Sequence, residues 1–375
     1  MAAGRSHALF GAALVGCWLV VVRVLKRRRE RYMESLVDAA LDGTGSVWRV
    51  HNLLTANELR FEAWIAMSAR GLLLTYAIPS ISGVLASTGG FESDVQRRYA
   101  DMELMIREFN ESAADGTSEW NGQPERAQRA IQRLNAIHAA YGHLILQRDM
   151  QYVLAIFMTT PAIWCDSAWS CRAMTRREKA CVHRHWMGIG RAMNIELDDG
   201  SGGDWADFDS VVAFKRKFES QHQRFKQTNF KVAVATIRYF TQQFPAGVVR
   251  EAVEKLALHA LAAMQEDGKH ARALGFPSPP SLLLRLAIDA CLRLRAFACA
   301  HLLPPLPIAW TRRLTGLHPI HSSQRPGCPF KMYAPLRALD FGNKTYGPKK
   351  PYAIEEMGPP SVQPGLLETS PNYLS

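Results

Sequence analysis

At 375 residues, 47% of them hydrophobic and 21% charged, the chain can bury a substantial core and is too apolar to be a disordered polypeptide. A formal charge of +11 raises nucleic acid as a partner, but its clearest concentration is KRRRER at 26–31, directly behind an apolar run. No recognition helix or aromatic-basic motif accompanies it, so no nucleic acid is expected and membrane orientation explains the cluster better.

In chain order, Ala8 to Val22 (ALFGAALVGCWLVVV) is apolar throughout, about 15 residues against the ~20 that span a bilayer, with Arg23 able to snorkel and lengthen the span. The charge lies after the apolar core rather than before it, and no small-residue cleavage site follows. An uncleaved single-pass signal anchor over residues 1–31 is therefore expected, with the body in the cytosol. The seven cysteines, at 17, 165, 171, 181, 291, 299 and 328, follow no framework spacing and read as reduced thiols on that side.

From 31 to 113 the apolar spacing is mostly helical. TYAIPSISG at 75–83 reads as a buried turn, TGG at 88–90 as a stop, and FESDVQRRYADMELMIREF as an amphipathic helix capped by Ser93. The segments 112–124 and 197–210 read as polar loops, and Pro161 as a break after the apolar helix around 149–160. TRRE at 175–178 is a capping-box pattern opening a helix through MGIGRAM. Helices follow at 211–225, 232–244 and 247–264. The apolar stretch 282–303 carries Arg285, Asp289, Arg293 and Arg295, which suits a partly buried or membrane-surface helix and not a span. Strand-like alternation is not sustained, so the chain is expected to be all-α: an anchor at 1–31, one helical domain at 32–310, and a Pro/Gly-rich tail at 311–375 that is extended or disordered.

The stretch around which the chain is organised is 126–195, and within it His138 in RLNAIHAAYG. Leu134, Ile137, Ala140, Tyr141 and Leu144 recur at helical spacing and put one face of the helix into a core, with His138 beside that face. A histidine packed between two apolar helices is what a histidine-ligated haem requires, although a lone core histidine is more often structural. Cys165, Cys171, Cys181, His183 and His185 offer a zinc alternative, but the spacing of Cys165 and Cys171 lies outside the usual pattern and the tryptophans between them speak for packing. There is no P-loop, dinucleotide fingerprint or nucleophile elbow.

TYAIPSISGVLASTGGF, RRYADMELMIREF, RLNAIHAAYG, RDMQYVLAIF, the 164–178 segment and WMGIGRAMNI resemble, in this order and with similar spacing, a known family. It joins the bacterial latex-clearing protein, a rubber oxygenase, with the membrane-bound oxygenase of fungal mycophenolic acid synthesis, and the likeness is closest to the fungal, membrane-anchored branch. It covers residues 45–310. The resemblance implies a globin-like helical fold binding haem b, His138 as the proximal iron ligand, and Arg98 as the family's arginine in its RYADT-like helix, pairing with a haem propionate or a nearby carboxylate at the catalytic site. It further implies dioxygen as co-substrate and cleavage of an alkene in an isoprenoid or other lipidic substrate into two carbonyl products, at a membrane expected to be the endoplasmic reticulum.

Two family threonines are replaced here, by Met102 and Val153, and Asp101 stands where the latex-clearing branch places a distal lysine. Loss of two hydroxyls removes donors to bound oxygen, yet an apolar alkene gains from a dry site. The alternative is a helical, membrane-anchored relative that keeps the fold without turnover.

Overall fold

Helix follows helix along the chain, and no β-strand occurs among the described residues. The structure, a computed structural model, describes residues 2–59, 62–63, 66–93, 95, 98–99, 101–102, 105–106, 108, 124–198, 205–241, 244–265, 268–277, 281–308, 354–359 and 362. The polar loop expected at 112–124 lies outside these apart from its last residue, as do the middle of the 197–210 loop, Cys328 and most of the tail.

Helix α1 (Ala2–Leu41) runs for 40 residues with no break at residue 31. The expected anchor is its first half, where Phe10, Leu14, Val15, Trp18 and Val21 are exposed. No helix among the described residues is long and apolar enough to cross a membrane. Within α1 the apolar run is closed off by His7 and Arg23, short of the ~20 residues a bilayer core requires. The second half of α1 is amphipathic: Met33, Val37 and Ala40 are buried at three- and four-residue spacing.

Ser46 caps α2 (Val47–Leu53), its hydroxyl accepting from the Arg49 amide. Two π-helical turns, Leu54–Glu58 and Met67–Gly71, lead into α3 (Leu72–Tyr76) and α4 (Pro79–Ser87). The expected buried turn shrinks to Ala77 and Ile78, both fully buried. Pro79 opens α4, where a missing N–H removes no helical bond. Gly89, at φ +69°, ends α4. The next helix, α5, starts at Gly90 (Gly90–Ser93), so Ser93 is an interior residue and not the expected cap; described residues on to Glu108 remain helical.

The centre is built from α6 (Pro124–Ala140), α7 (Gln147–Cys165) and α8 (Arg176–Ala192). Pro161 does not break α7, although it removes the amide that would bond Phe157. Continuing the helix carries Ala162, Trp164 and Cys165 into full burial, which offsets the lost bond. The capping box of α8 is present in both directions: the Glu178 amide donates to Thr175 Oγ1 at 3.1 Å and the Thr175 amide to Glu178 Oε2 at 2.8 Å. Beyond it lie α9 (Phe208–His222), α10 (Gln227–Thr241), α11 (Val248–Ala263), α12 (Gly268–Leu274) and α13 (Leu282–Phe297).

The main core surrounds α7, with Tyr152, Leu154, Ile156 and Met158 meeting residues of α1, α2, α8 and α9. A second core joins α3, α10 and α12 through Tyr76, Val232, Ala233 and Leu274. In α13, Arg295 turns inward to hold the buried Glu62 carboxylate with two N–H bonds of 3.1 and 3.0 Å.

Of the tail, residues 354–359 and Val362 are described. They form a strap over α6, in which Ile354, Met357 and Val362 are buried against Met105, Ala130 and Ile137. Arg133, 1% exposed, donates through Nε to the Met357 carbonyl (3.0 Å) and through Nη2 to the Val362 carbonyl (3.2 Å).

Candidate functional site

The residues singled out in the sequence meet in one cavity between α4, α5 and its helical continuation, α6 and α7. From α6 come Leu134, Ile137 and His138, one helical turn wide, with Tyr141 just past the end of the helix. From α7 come Asp149, Met150, Val153, Leu154 and Phe157, again one face of a helix. Arg98, Asp101 and Met102 enter from the third side, and Gly358 and Pro359 of the strap form part of the wall. Ala140 and Leu144, expected on the core face, are exposed, because α6 ends at Ala140 and the chain turns away.

The cavity has a volume of about 260 Å³ and is lined mainly by apolar side chains. That lies just below the ~300–1,000 Å³ of most small-molecule sites. Four methionines, Met102, Met105, Met150 and Met193, stand in its wall, and their unbranched side chains can repack around an occupant.

Burial, reinforced by the neighbouring Arg98 cation, pushes the His138 ring down to about 4, so the imidazole is neutral at physiological pH. Its Nδ1 is buried without a hydrogen-bond partner. Arg98 reaches into the same space; its Nε is also buried without a partner, and the guanidinium carbon sits 5.9 Å from the Phe91 ring centroid. Neutral imidazole is the form a metal takes as ligand, and a cation in an apolar wall is what an acidic edge of a cofactor calls for. In donor chemistry, therefore, His138 and Arg98 are the residues that would hold a haem b.

Met102 and Val153 both line the cavity and carry no hydroxyl into it. Asp101 is 3% exposed and accepts the Gly358 amide at 3.1 Å, which ties the strap to the cavity wall.

Further residues border the site. The Tyr76 hydroxyl hydrogen-bonds the Tyr99 hydroxyl at 2.6 Å, Tyr99 bonds Thr236 Oγ1, and Thr236 donates to the Val232 carbonyl at 2.8 Å. Burial raises both phenols above their ordinary range, so each stays protonated. In the opposite wall Trp186 stacks on Phe157, with centroids 5.3 Å apart, and donates from Nε1 to His51 Nε2 at 3.2 Å. His51 in turn stacks on His185 at 4.1 Å.

The zinc alternative finds no support: among the described residues no group of three or more His, Cys, Asp or Glu side chains is placed to hold a metal ion. Cys165, Cys171 and Cys181 are free thiols that burial pushes up to about 12, 12 and 11, so they are protonated and inert. An open hollow of about 630 Å³ beside α8 contains His183, but that ring is already committed to the Trp205 carbonyl at 3.0 Å.

No family model matches the chain. It is 29% identical over 131 residues to an ER-bound oxygenase mpaB of Penicillium roqueforti (strain FM164), which covers 34% of this chain and 41% of that protein. It is 24% identical over 251 residues to an ER-bound oxygenase mpaB' of Penicillium brevicompactum, covering 64% of this chain and 55% of that one. A second protein of P. brevicompactum, ER-bound oxygenase mpaB, is 28% identical over 131 residues, covering 34% of this chain and 31% of its own length. The matches thus span less than two thirds of each relative, and the chain is a distant relative of oxygenases of this type.

Proposed function

We propose that the chain is a membrane-associated, haem b-dependent oxygenase of the family that also holds the latex-clearing protein, on its fungal branch, and that it cleaves a carbon–carbon double bond of an isoprenoid or other lipidic substrate with dioxygen. The observation that supports this most is His138: a neutral imidazole with an unpartnered buried nitrogen, in an apolar cavity that also takes in Arg98. His138 is the residue that would hold a haem there, and the haem would supply iron chemistry with dioxygen.

The chain's own residues do the rest. His138 holds the iron, and Arg98 neutralises a propionate or a nearby carboxylate. Met102, Val153 and Phe157 keep water out, so an apolar alkene chain leaves solvent on entering. The relatives are described as ER-bound, and a membrane is also the phase in which such a substrate dissolves.

Met102 and Val153 favour a second reading, a relative that binds haem without turnover, because neither side chain donates a hydrogen bond into the cavity. Visible absorption spectra of the purified full chain, followed by product analysis with isoprenoid alkenes under oxygen, separate the two. A Soret band with paired carbonyl products is expected; a Soret band without products supports the second reading. His138→Ala should lose the band from a folded protein while His143→Ala, at an exposed position, keeps it. Full haem occupancy in His138→Ala overturns the ligand assignment.

A further inference from the structure

Helix α13 is apolar on two faces. Its inner face packs Ile288 and Leu292 onto the Trp164 cluster, as a surface helix should. Its outer face repeats the pattern three and four residues apart: Leu283, Leu286, Ala287, Ala290, Leu294 and Phe297 are all exposed, Leu283 by 79% and Leu294 by 70%. A stripe of that length left in water is not accounted for by packing among the described residues.

The stripe does not end with its helix. The π-helical turn Ala298–Leu302 abuts α1, where Trp18 Nε1 donates to the Leu302 carbonyl (2.8 Å) and Lys26 Nζ to the Cys299 carbonyl (2.5 Å). The exposed Phe297, Leu302 and Leu303 therefore continue onto the exposed Trp18, Val21 and Leu25 of α1. Arg28 and Arg31, both exposed, follow Leu25 at three-residue steps and flank this face of α1, while the exposed Arg23 and Arg27 stand around the helix from it.

We propose that the outer face of α13 and residues 10–31 of α1 form one continuous surface that lies in the headgroup region of an anionic bilayer. The apolar stripe enters the acyl boundary and the arginines of α1 meet the lipid phosphates and carboxylates. The charge complementarity selects a lipid surface over a second copy of this chain, whose corresponding face carries the same arginines. Arg293, ion-paired with Asp289 at 2.7 Å on the edge of the stripe, fits a helix lying in the interface plane. The inference deepens the membrane part of the function proposed above and is independent of haem.

Two measurements on the full chain test it. Flotation with phosphatidylcholine vesicles, with and without phosphatidylserine, reports membrane association as such. An environment-sensitive dye on the exposed Cys291, in a Cys17→Ser, Cys328→Ser background, reports the α13 face itself. Its emission should shift to the blue with the phosphatidylserine vesicles, and Leu286→Glu combined with Leu294→Glu should abolish the shift without altering helix content. Flotation with an unshifted dye overturns the α13 surface and leaves membrane association standing; no flotation with either vesicle overturns both. Vesicle-free dimerisation that the double variant abolishes would identify a second copy as the occupant and overturn the lipid assignment.

Discussion

Behind the cavity wall, His185 is enclosed by His51 and Trp186, and burial alone drives its ring down to about 3. An unfolded chain accepts a proton there below its ordinary value of 6.5, whereas the folded chain refuses it until about 3. Stability present above pH 6.5 is therefore lost progressively as pH falls from 6.5 towards 3, at up to about 1.4 kcal/mol per unit. His185→Phe keeps an aromatic ring against His51 and removes the titration, so its acid-unfolding midpoint should move to lower pH while unfolding at neutral pH changes little. A midpoint that does not move would mean that His185 takes up its proton without unfolding. At this scale the sequence was partly legible. His138, Arg98, Met102 and Val153 lie in motifs with local helical spacing, and all four reach one cavity. The chain Tyr76–Tyr99–Thr236 was not legible, because the last two partners are 137 positions apart and only tertiary packing makes them neighbours.

The strap formed by residues 354–359 and Val362 rests on a few single residues. Gly358 sits at φ +105°, and a Cβ there would stand 2.5 Å from Ile137 Cδ1, on the residue before His138. Gly358→Val therefore meets both a disfavoured backbone and a clash, together about 1–3 kcal/mol. The expected outcome is release of the strap: faster proteolysis in the 350s and a lower thermal midpoint, with the rest of the helix content retained. Unchanged proteolysis would show the strap holding despite the clash. Periodicity and caps disclosed most helices, the Thr175–Glu178 box among them, because these signals are local. The strap was hidden for the opposite reason: its turn is fixed by the Arg133 guanidinium and the Asp101 carboxylate, groups more than 200 positions away whose hydrogen bonds only the folded chain provides. Pro161 misled because the burial gained by the last turn of α7 outweighs one lost helical bond.

Across the whole molecule, α1 is as much a part of the body as a lead-in to it. Arg29 pairs with Glu58 at 2.7 Å and also donates to Asn57 Oδ1 at 3.0 Å and to the Leu306 carbonyl at 2.6 Å, so one guanidinium joins α1, the turn after α2 and the segment after α13. Burial raises the Glu58 carboxyl and the Arg29 cation opposes that rise, so Glu58 depends on Arg29 to carry charge. A shortened chain starting at residue 25 keeps Lys26 and Arg29, whereas one starting at residue 32 removes both and leaves a carboxylate only 12% exposed without its main cation. Breaking such a pair costs up to ~3 kcal/mol. The longer truncation should therefore unfold several degrees below the shorter one in far-UV circular dichroism, and Arg29→Ala in the chain that starts at residue 25 should reproduce most of the difference. Equal midpoints for the two truncations would show that the contacts at Asn57 and Leu306 are not part of what holds α1 to the body.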